Sequence, residues 1–401
     1  MPPPITPYKI HIPDAKLERL KQKLELTDFP KHEIEDTGWK YGAPLADIKR
    51  LTEYWRSKYD WRKQEEEMNK LPQFMTKVEV DGFGELDIHF LHQKSSSKNA
   101  IPLLFVHGWP GNFLEGSRIL SLLKEGEGKS SPAFDIVVPS LPNYCFSGGV
   151  KKAGFEIKQY AETCHKLMLA LGYEQYVTQG GDWGFLITRA LAYLYPQSCK
   201  ATHTNWIFAS PPAPISSAAQ PSFTPRELAA LARGQDWFAG DGRGYLAIQS
   251  TKPSTIGFSH ADSPVALLAW IYEKLHSWSD AYPWTEDEIL TWVSLYYFST
   301  AGPEASSYHY YEALHGKEIT TAVVQGYIDV PLGLADFPVE IANAPKAWWG
   351  TLGPVVWSKT YEKGGHFAAW ERPGDVAEGL AEMFGKGGGA FGVVRGRSGY
   401  D

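Results

Sequence analysis

The chain has 401 residues, 43% hydrophobic, 14% aromatic and 21% charged, with a net charge of -7. At roughly 150 residues per unit that length holds two or three units with a large core, and an acidic balance without a Lys/Arg-rich stripe argues against nucleic acid as a partner. Cys145, Cys164 and Cys199 stand singly, which supplies neither a disulfide framework nor zinc-ligand spacing, so no metal is expected. The N-terminal residues contain no apolar signal core, and the longest apolar run, Val265 to Tyr272, is far below the ~20 residues of a membrane helix. A soluble, cytoplasmic protein without a membrane anchor is the expectation.

In chain order, Leu17, Leu20 and Leu24 recur at three- and four-residue spacing within residues 13–26, behind Asp14 as N-cap, and predict a short amphipathic helix. A second helix is expected to start with Pro44 as its first residue and to run through charged sequence to about Lys70. The period then changes. Phe74 to Val80 and Leu86 to Leu91 read as strands joined by a turn at Asp81 to Gly84, and the continuous apolar run Ile101 to Val106 suits a buried parallel strand. Further strands are expected at Phe134 to Val138, Tyr176 to Gln179 and Ala201 to Trp206, with helices of roughly 12 to 18 residues between them. This alternation predicts an α/β fold with a mostly parallel central sheet.

The alternation stops after Phe208. Residues 210–225 are rich in Pro, Ser and Ala, and aromatic-dense helical sequence follows to about Ala322. Strand signals return at Tyr327 to Leu334 and Val355 to Tyr361, so a helical cap is expected as an insertion in the sheet domain. The expected organisation is an N-terminal helical extension over 1–73 packing on core and cap, a first core part over 74–209, a cap over 210–326 and a second core part over 327–385. The glycine-rich residues 386–401 are expected to form a flexible tail.

The chemistry is concentrated in Gly180-Gly181-Asp182-Trp183-Gly184, between the predicted strand at Tyr176 to Gln179 and the helical run Phe185 to Tyr195. Small residues flanking a central nucleophile at a strand-to-helix turn form a nucleophile elbow, here with aspartate where serine is usual. A carboxylate, with an ordinary pKa of ~3.9, is ionised at neutral pH and needs no base to attack. Displacement at an sp³ carbon leaves an ester whose carbonyl belongs to the enzyme, so water must then attack that carbonyl. Epoxides and alkyl halides are the substrates this order of events favours.

His107-Gly108-Trp109-Pro110 follows a predicted strand, where such a fold supplies an oxyanion-hole amide. The backbone N–H groups of Trp109 and Trp183 are therefore the candidate pair. Gly364-Gly365-His366-Phe367 follows the last predicted strand, in the chain order nucleophile, acid, histidine, which makes His366 the candidate general base. Glu340 is the best-placed acid to orient it, with Asp336 as competitor. Opening an epoxide also requires a donor at the departing oxygen, and tyrosine suits that task, but composition does not choose among 21 tyrosines. Trp183 and Phe185 are candidate apolar walls of the substrate pocket.

Together HGWPG, GGDWG, GYLAIQSTKPSTIGF, YYE and GGHFAAWERP resemble the microsomal-type epoxide hydrolases of the α/β-hydrolase superfamily, and most of all their soluble fungal members, from about Tyr8 to Phe384. The resemblance implies an α/β-hydrolase fold and cofactor-independent hydrolysis of an epoxide to a vicinal diol. It implies Asp182 as nucleophile, His366 as water-activating base and Glu340 as third triad member. It assigns Tyr245 and Tyr310 to the epoxide oxygen, with Tyr308 and Tyr311 as neighbours that a one-residue slip would select instead. The implied partner is a small apolar epoxide; relatives often form a homodimer, and the oligomeric state of this chain stays open. Two alternatives remain at this stage: a haloalkane dehalogenase with the same Asp elbow, and a noncatalytic protein of this fold.

Overall fold

The computed structural model describes residues 4–126, 131–212 and 222–401, so most of the Pro/Ser/Ala-rich stretch lies outside the described residues. The chain opens with β1 (Thr6–Pro7), α1 (Asp14–Glu25), α2 (Leu45–Ser57) and α3 (Trp61–Met68). The sheet region follows with β2 (Gln73–Val80), β3 (Gly84–Gln93), β4 (Ile101–Val106), α4 (Leu114–Ser117), α5 (Leu120–Leu123) and β5 (Phe134–Pro139). It continues with α6 (Ile157–Ala170), β6 (Tyr176–Gly180), α7 (Trp183–Leu194) and β7 (Cys199–Thr204). Helices then take over as α8 (Pro225–Ala239), α9 (Gly244–Thr251), α10 (Pro253–Asp262), α11 (Pro264–Ser277), α12 (Glu286–Tyr297), α13 (Ala305–His315) and α14 (Thr321–Gln325). The sheet resumes with β8 (Leu332–Asp336) and β9 (Val355–Thr360), followed by α15 (Ala368–Glu371) and α16 (Pro373–Phe384).

Among the described residues the sheet has nine strands in the order β1-β2-β3-β5-β4-β6-β7-β8-β9. The first three pairings are antiparallel and the remaining five parallel. All residues of β4 and β5 are buried, as expected for parallel strands covered on both faces. From β4 the chain steps to β5 on one side and then returns to β6 on the other. Such a reversal leaves a crevice beyond the carboxyl ends of the two central strands. Val106 at the end of β4 pairs with Gly180 at the end of β6, so the segments carrying Trp109 and Asp182 leave the sheet side by side.

The N-terminal residues tie to both the sheet and the helices that follow β7. β1 pairs with β2, while Trp39 stacks on His276 at a centroid separation of 3.5 Å and the Tyr54 hydroxyl donates to Asp287 at 3.1 Å. No helix among the described residues is long and apolar enough to cross a membrane.

Four sequence expectations are corrected. Asp14 is the first residue of α1 rather than its cap, and Pro44 lies just before α2 in an extended conformation. The helix expected from Pro44 to Lys70 is two helices, because Asp60 turns extended and its carboxylate caps α3 by accepting from the Lys63 amide at 3.2 Å. The glycine-rich tail is not loose. Ala390 and Val394 are buried, Gly399 donates to the Asn99 carbonyl at 2.8 Å, and its own carbonyl accepts from the Ala133 amide at 2.8 Å. Glycines with positive φ at 387, 392, 396 and 399 make tight turns there rather than flexible chain. Removal of residues 387–401 is expected to cost at least about 3 kcal/mol, from the buried Val394 and the backbone hydrogen bonds of Gly388, Ala390 and Gly399 to the rest of the chain. Chemical denaturation checks this, and an unchanged midpoint would contradict it.

Candidate active site

Asp182 links β6 to α7 with φ 53° and ψ -130°, a conformation that side-chain-bearing residues rarely adopt. The surrounding glycines are dictated by space. A Cβ on Gly180 would lie 2.6 Å from the Gly184 carbonyl oxygen, and one on Gly184 would lie 1.9 Å from that of Val106. On Gly108 it would lie 2.2 Å from Asp182 Oδ1. Helix α7 therefore starts in contact with the end of β4, and its first turn aims Asp182 into the crevice.

The carboxylate of Asp182 is divided between two partners. Its Oδ1 accepts from the Trp109 amide at 2.7 Å, and its Oδ2 lies 3.4 Å from His366 Nε2. Of the two expected amides, that of Trp109 bonds the carboxylate, while Trp183 heads α7, where first-turn amides have no partner within the helix. The loop carrying Trp109 is held from above by α12, with the Tyr296 hydroxyl donating to the Gly111 carbonyl at 2.6 Å and the Trp292 indole donating to that of Pro110.

His366 is fixed on both sides. Its backbone amide donates to the Trp278 carbonyl at 2.8 Å, and Gly364 adopts φ 115° to turn the chain toward it. Its Nδ1 makes a short contact with Glu340 Oε1, and Glu340 is fully buried. The competing carboxylate, Asp336, points elsewhere: its Oδ1 accepts from Asn343 at 3.0 Å and its Oδ2 lies 3.4 Å from Arg226. Burial alone would lower the His366 pKa, but the carboxylates of Glu340 and Asp182 outweigh it and hold the pKa well above its ordinary value.

Tyr245 on α9 and Tyr310 on α13 converge over Asp182. Tyr245 stacks on Trp109 at 5.2 Å, and Tyr310 meets Trp109 and Trp183 edge-on at 5.6 and 4.8 Å. The two tyrosine rings are 5.9 Å apart. Tyr245 Oη accepts from the Trp237 indole at 2.9 Å, whereas the buried Tyr310 Oη has no hydrogen-bond partner among the described residues. Burial raises both phenols well above their usual range, with the negative charge of Asp182 next for Tyr245 and the neighbouring Tyr245 next, then Asp182, for Tyr310, so both remain donors at neutral pH. Tyr308 and Tyr311 are not brought to this cluster; Tyr311 stacks on His315 and is 38% exposed.

Two cavities adjoin the cluster. One of about 10 Å³ is lined by Asp182, His366, Trp109, Glu115, Gly181 and Asn205, among others. The other, about 890 Å³, is lined by Tyr245 together with Trp237, Ile248, Trp270, Trp278 and Ile341. Against expectation, neither cavity is lined by Trp183 or by Phe185. Phe185 points from α7 into the core, fully buried and edge-on to Trp206 at 5.6 Å, while Trp183, two residues earlier, faces the cap side.

Sequence reasoning missed several groups here. Asn205, just past β7, has its Nδ2 3.5 Å from Glu340 Oε2 and 3.4 Å from the His366 carbonyl. Glu371 accepts from the amides of Asp280 and Phe367 at 2.8 and 3.1 Å, and burial pushes its carboxyl up to about 7. Glu115 on α4 lines the smaller cavity beside Asp182. No spacing rule marks any of the three, since each comes from a different element. The raised pKa of His366 has a defined sign: charged His366 stabilises the fold below its ordinary value of ~6.5, and this contribution fades as pH rises through the raised value. In Glu340→Gln, and separately in Asp182→Asn, the imidazole is expected to titrate at lower pH than in the wild type. Imidazole ¹⁵N NMR checks this, and unchanged titration in both variants would contradict it.

Comparison with known proteins supplies the family. A model described as epoxide hydrolase N terminus matches residues 5–116, and one described as alpha/beta hydrolase fold matches residues 101–230. Epoxide hydrolase 1 of Sus scrofa is 35% identical over 415 residues, covering 95% of this chain and 88% of that protein. The solved structure of Aspergillus niger epoxide hydrolase superposes with a TM-score of 0.82 at 34% identity, over 94% of this chain and 95% of that one. Juvenile hormone epoxide hydrolase from the silkworm Bombyx mori gives a TM-score of 0.84 at 29% identity, over 94% of this chain and 93% of that one. With this likeness running through the extension, the sheet and the helices above it, the chain belongs to the epoxide hydrolase family and has the α/β-hydrolase fold.

Proposed function

We propose that Asp182 opens an epoxide through a covalent ester and that His366 activates the water which hydrolyses it. The carrying observation is the division of the Asp182 carboxylate, with Oδ1 on the Trp109 amide and Oδ2 free of backbone donors. Oδ2 attacks a ring carbon and the carbon–oxygen bond of the epoxide breaks. Tyr245 and Tyr310 donate to the departing oxygen. Oδ1 then becomes the ester carbonyl oxygen, already seated on one amide, with the Trp183 amide as the second donor when charge develops there. Removing one such donor typically costs ~2.7–4 kcal/mol of barrier.

In the second step the proton of water passes to His366 Nε2 as the water oxygen bonds to Asp182 Cγ. Glu340, buried against Nδ1, supports the imidazolium. The tetrahedral intermediate expels the diol oxygen, which takes the proton from His366. Esterification also removes one of the two negative charges that hold the His366 pKa high, so the imidazolium gives up its proton, which ends on the alkoxide left by ring opening, and the neutral imidazole acts as base; after hydrolysis the Asp182 carboxyl returns one proton to His366.

The larger cavity supports an epoxide with an apolar body, since Trp237, Ile248, Trp270, Trp278 and Ile341 line it beside the charged Arg233, Asp236, Glu273 and Lys274, its volume of about 890 Å³ lies in the ordinary ~300–1,000 Å³ range of ligand pockets, and Tyr245 stands on its boundary. The tyrosine pair favours an epoxide over an alkyl halide, because halide departure has no use for two hydroxyl donors. Tyr310→Phe removes a hydroxyl that bonds nothing among the described residues, so its folding cost is small. We expect Tyr245→Phe and Tyr310→Phe each to lower kcat/KM for an aryl epoxide by roughly 10²- to 10³-fold. Equal wild-type turnover of a bromoalkane and an epoxide, with Tyr245→Phe harmless, would favour a dehalogenase instead.

A further inference from the structure

Glu115 is a buried carboxyl that the two steps above leave without a task. It stands on α4, eight residues after His107, and lines the same small cavity as Asp182 and His366. Its Oε1 accepts from the Asn112 amide at 3.2 Å, while its Oε2 takes no hydrogen bond from the described residues. Space has been kept for it: a Cβ on Gly111 would lie 1.7 Å from Glu115 Oε1. A structural acid serving only one backbone amide would not need to face the reacting carboxylate. The cavity, at about 10 Å³, is near the minimum that admits one water molecule, and its lining supplies more than the two to four polar partners a water needs.

We propose that Glu115 holds the hydrolytic water beside His366, oriented for attack on the Asp182 ester. The inference rests on the ester mechanism above and adds the group that places its second reactant. Glu115 accepts one hydrogen of the water, the other passes to His366 Nε2, and the water oxygen bonds to Asp182 Cγ. The Cγ–Oδ2 bond of Asp182 then breaks, Oδ2 leaves on the alkyl carbon as a diol hydroxyl that takes the proton from His366 Nε2, the water oxygen stays on Cγ, and Glu115 ends with the proton count it began with.

Electrostatics suit Glu115 to this step rather than to the first. Burial pushes its carboxyl up to about 8, with His366 opposing the rise and Asp182 adding to it. In the ester the Asp182 charge is gone, and as water is deprotonated His366 becomes positive. Both changes favour the Glu115 carboxylate, so it accepts a hydrogen bond most strongly in the half-reaction that uses water.

The test follows the alkyl-enzyme by rapid quench and intact mass in wild type, Glu115→Gln and Glu115→Asp, with an aryl epoxide as probe. Adduct formation in Glu115→Gln is expected to stay within about threefold of wild type, which also shows that the site is folded, while its decay slows about 100-fold. The adduct then accumulates during turnover, and Glu115→Asp recovers part of the decay rate. Decay of the Glu115→Gln adduct at the wild-type rate overturns the proposal. So does an equal slowing of formation and decay, which marks a structural role, or loss of adduct in both variants. If no adduct forms even in wild type, the ester reading itself fails, and the role of Glu115 with it.

Discussion

The close approach of helix α7 to the end of strand β4 is the constraint on which the rest of the site depends. Val106 and Gly180 are paired at the ends of adjacent strands, and Gly184 sits so near the Val106 carbonyl that no Cβ fits between them. This contact fixes the pitch of the turn at Asp182 and forces its φ to 53°. It also sets the distance from Asp182 to the Trp109 amide, because Trp109 follows directly from β4. A strained nucleophile and a preformed donor are therefore two results of one packing decision. The cost of the strain is spread over a sheet buried on both faces, which is the kind of surround that can hold an unfavourable backbone in place.

A second constraint is the crowding of carboxyl groups around one histidine. Glu340 and Asp182 hold His366 charged, while Glu115 and Glu371, with less compensation, are pushed toward their neutral forms by burial. Such a set cannot all be ionised at once. Changing the charge of any member shifts the others, and esterification of Asp182 is the change the reaction itself makes. In the proposed mechanism the electrostatics thus set the order of the two steps: Asp182 is charged while His366 holds its proton, and His366 is released once Asp182 is esterified.

Much of this was legible in the sequence. Strand Ile101–Val106 is apolar throughout because both its faces are covered, so its bounds could be read directly. GGDWG was legible because sterics leave almost no freedom at those glycines. The bounds failed where a local signal had two meanings. Pro44 fits a helix start either just outside or just inside, and Asp60 breaks a charged run that reads as one helix until its cap is seen. The tail's glycines signal turns as readily as flexibility, and only their packing against the segment around Ala133 decides. Phe185 was misplaced because a helix following an elbow sends one side to the cap and one to the core, and the sequence does not say which. Glu115, Asn205 and Glu371 were beyond reach for a different reason, since their proximity to His366 is a property of the assembled crevice. Tyr310 was reached only through resemblance, and its buried hydroxyl, unpartnered among the described residues, is the physical sign that distinguishes it from Tyr308 and Tyr311.

The central claim is that oxygen reaches the product from Asp182 and not directly from water. Single turnover of excess enzyme with an epoxide in ¹⁸O water, followed by mass analysis of the diol and of the peptide containing Asp182, tests it most directly. The account predicts an unlabelled first diol and one ¹⁸O atom in the Asp182 carboxylate. A first diol carrying one ¹⁸O atom, with an unlabelled Asp182, would contradict it.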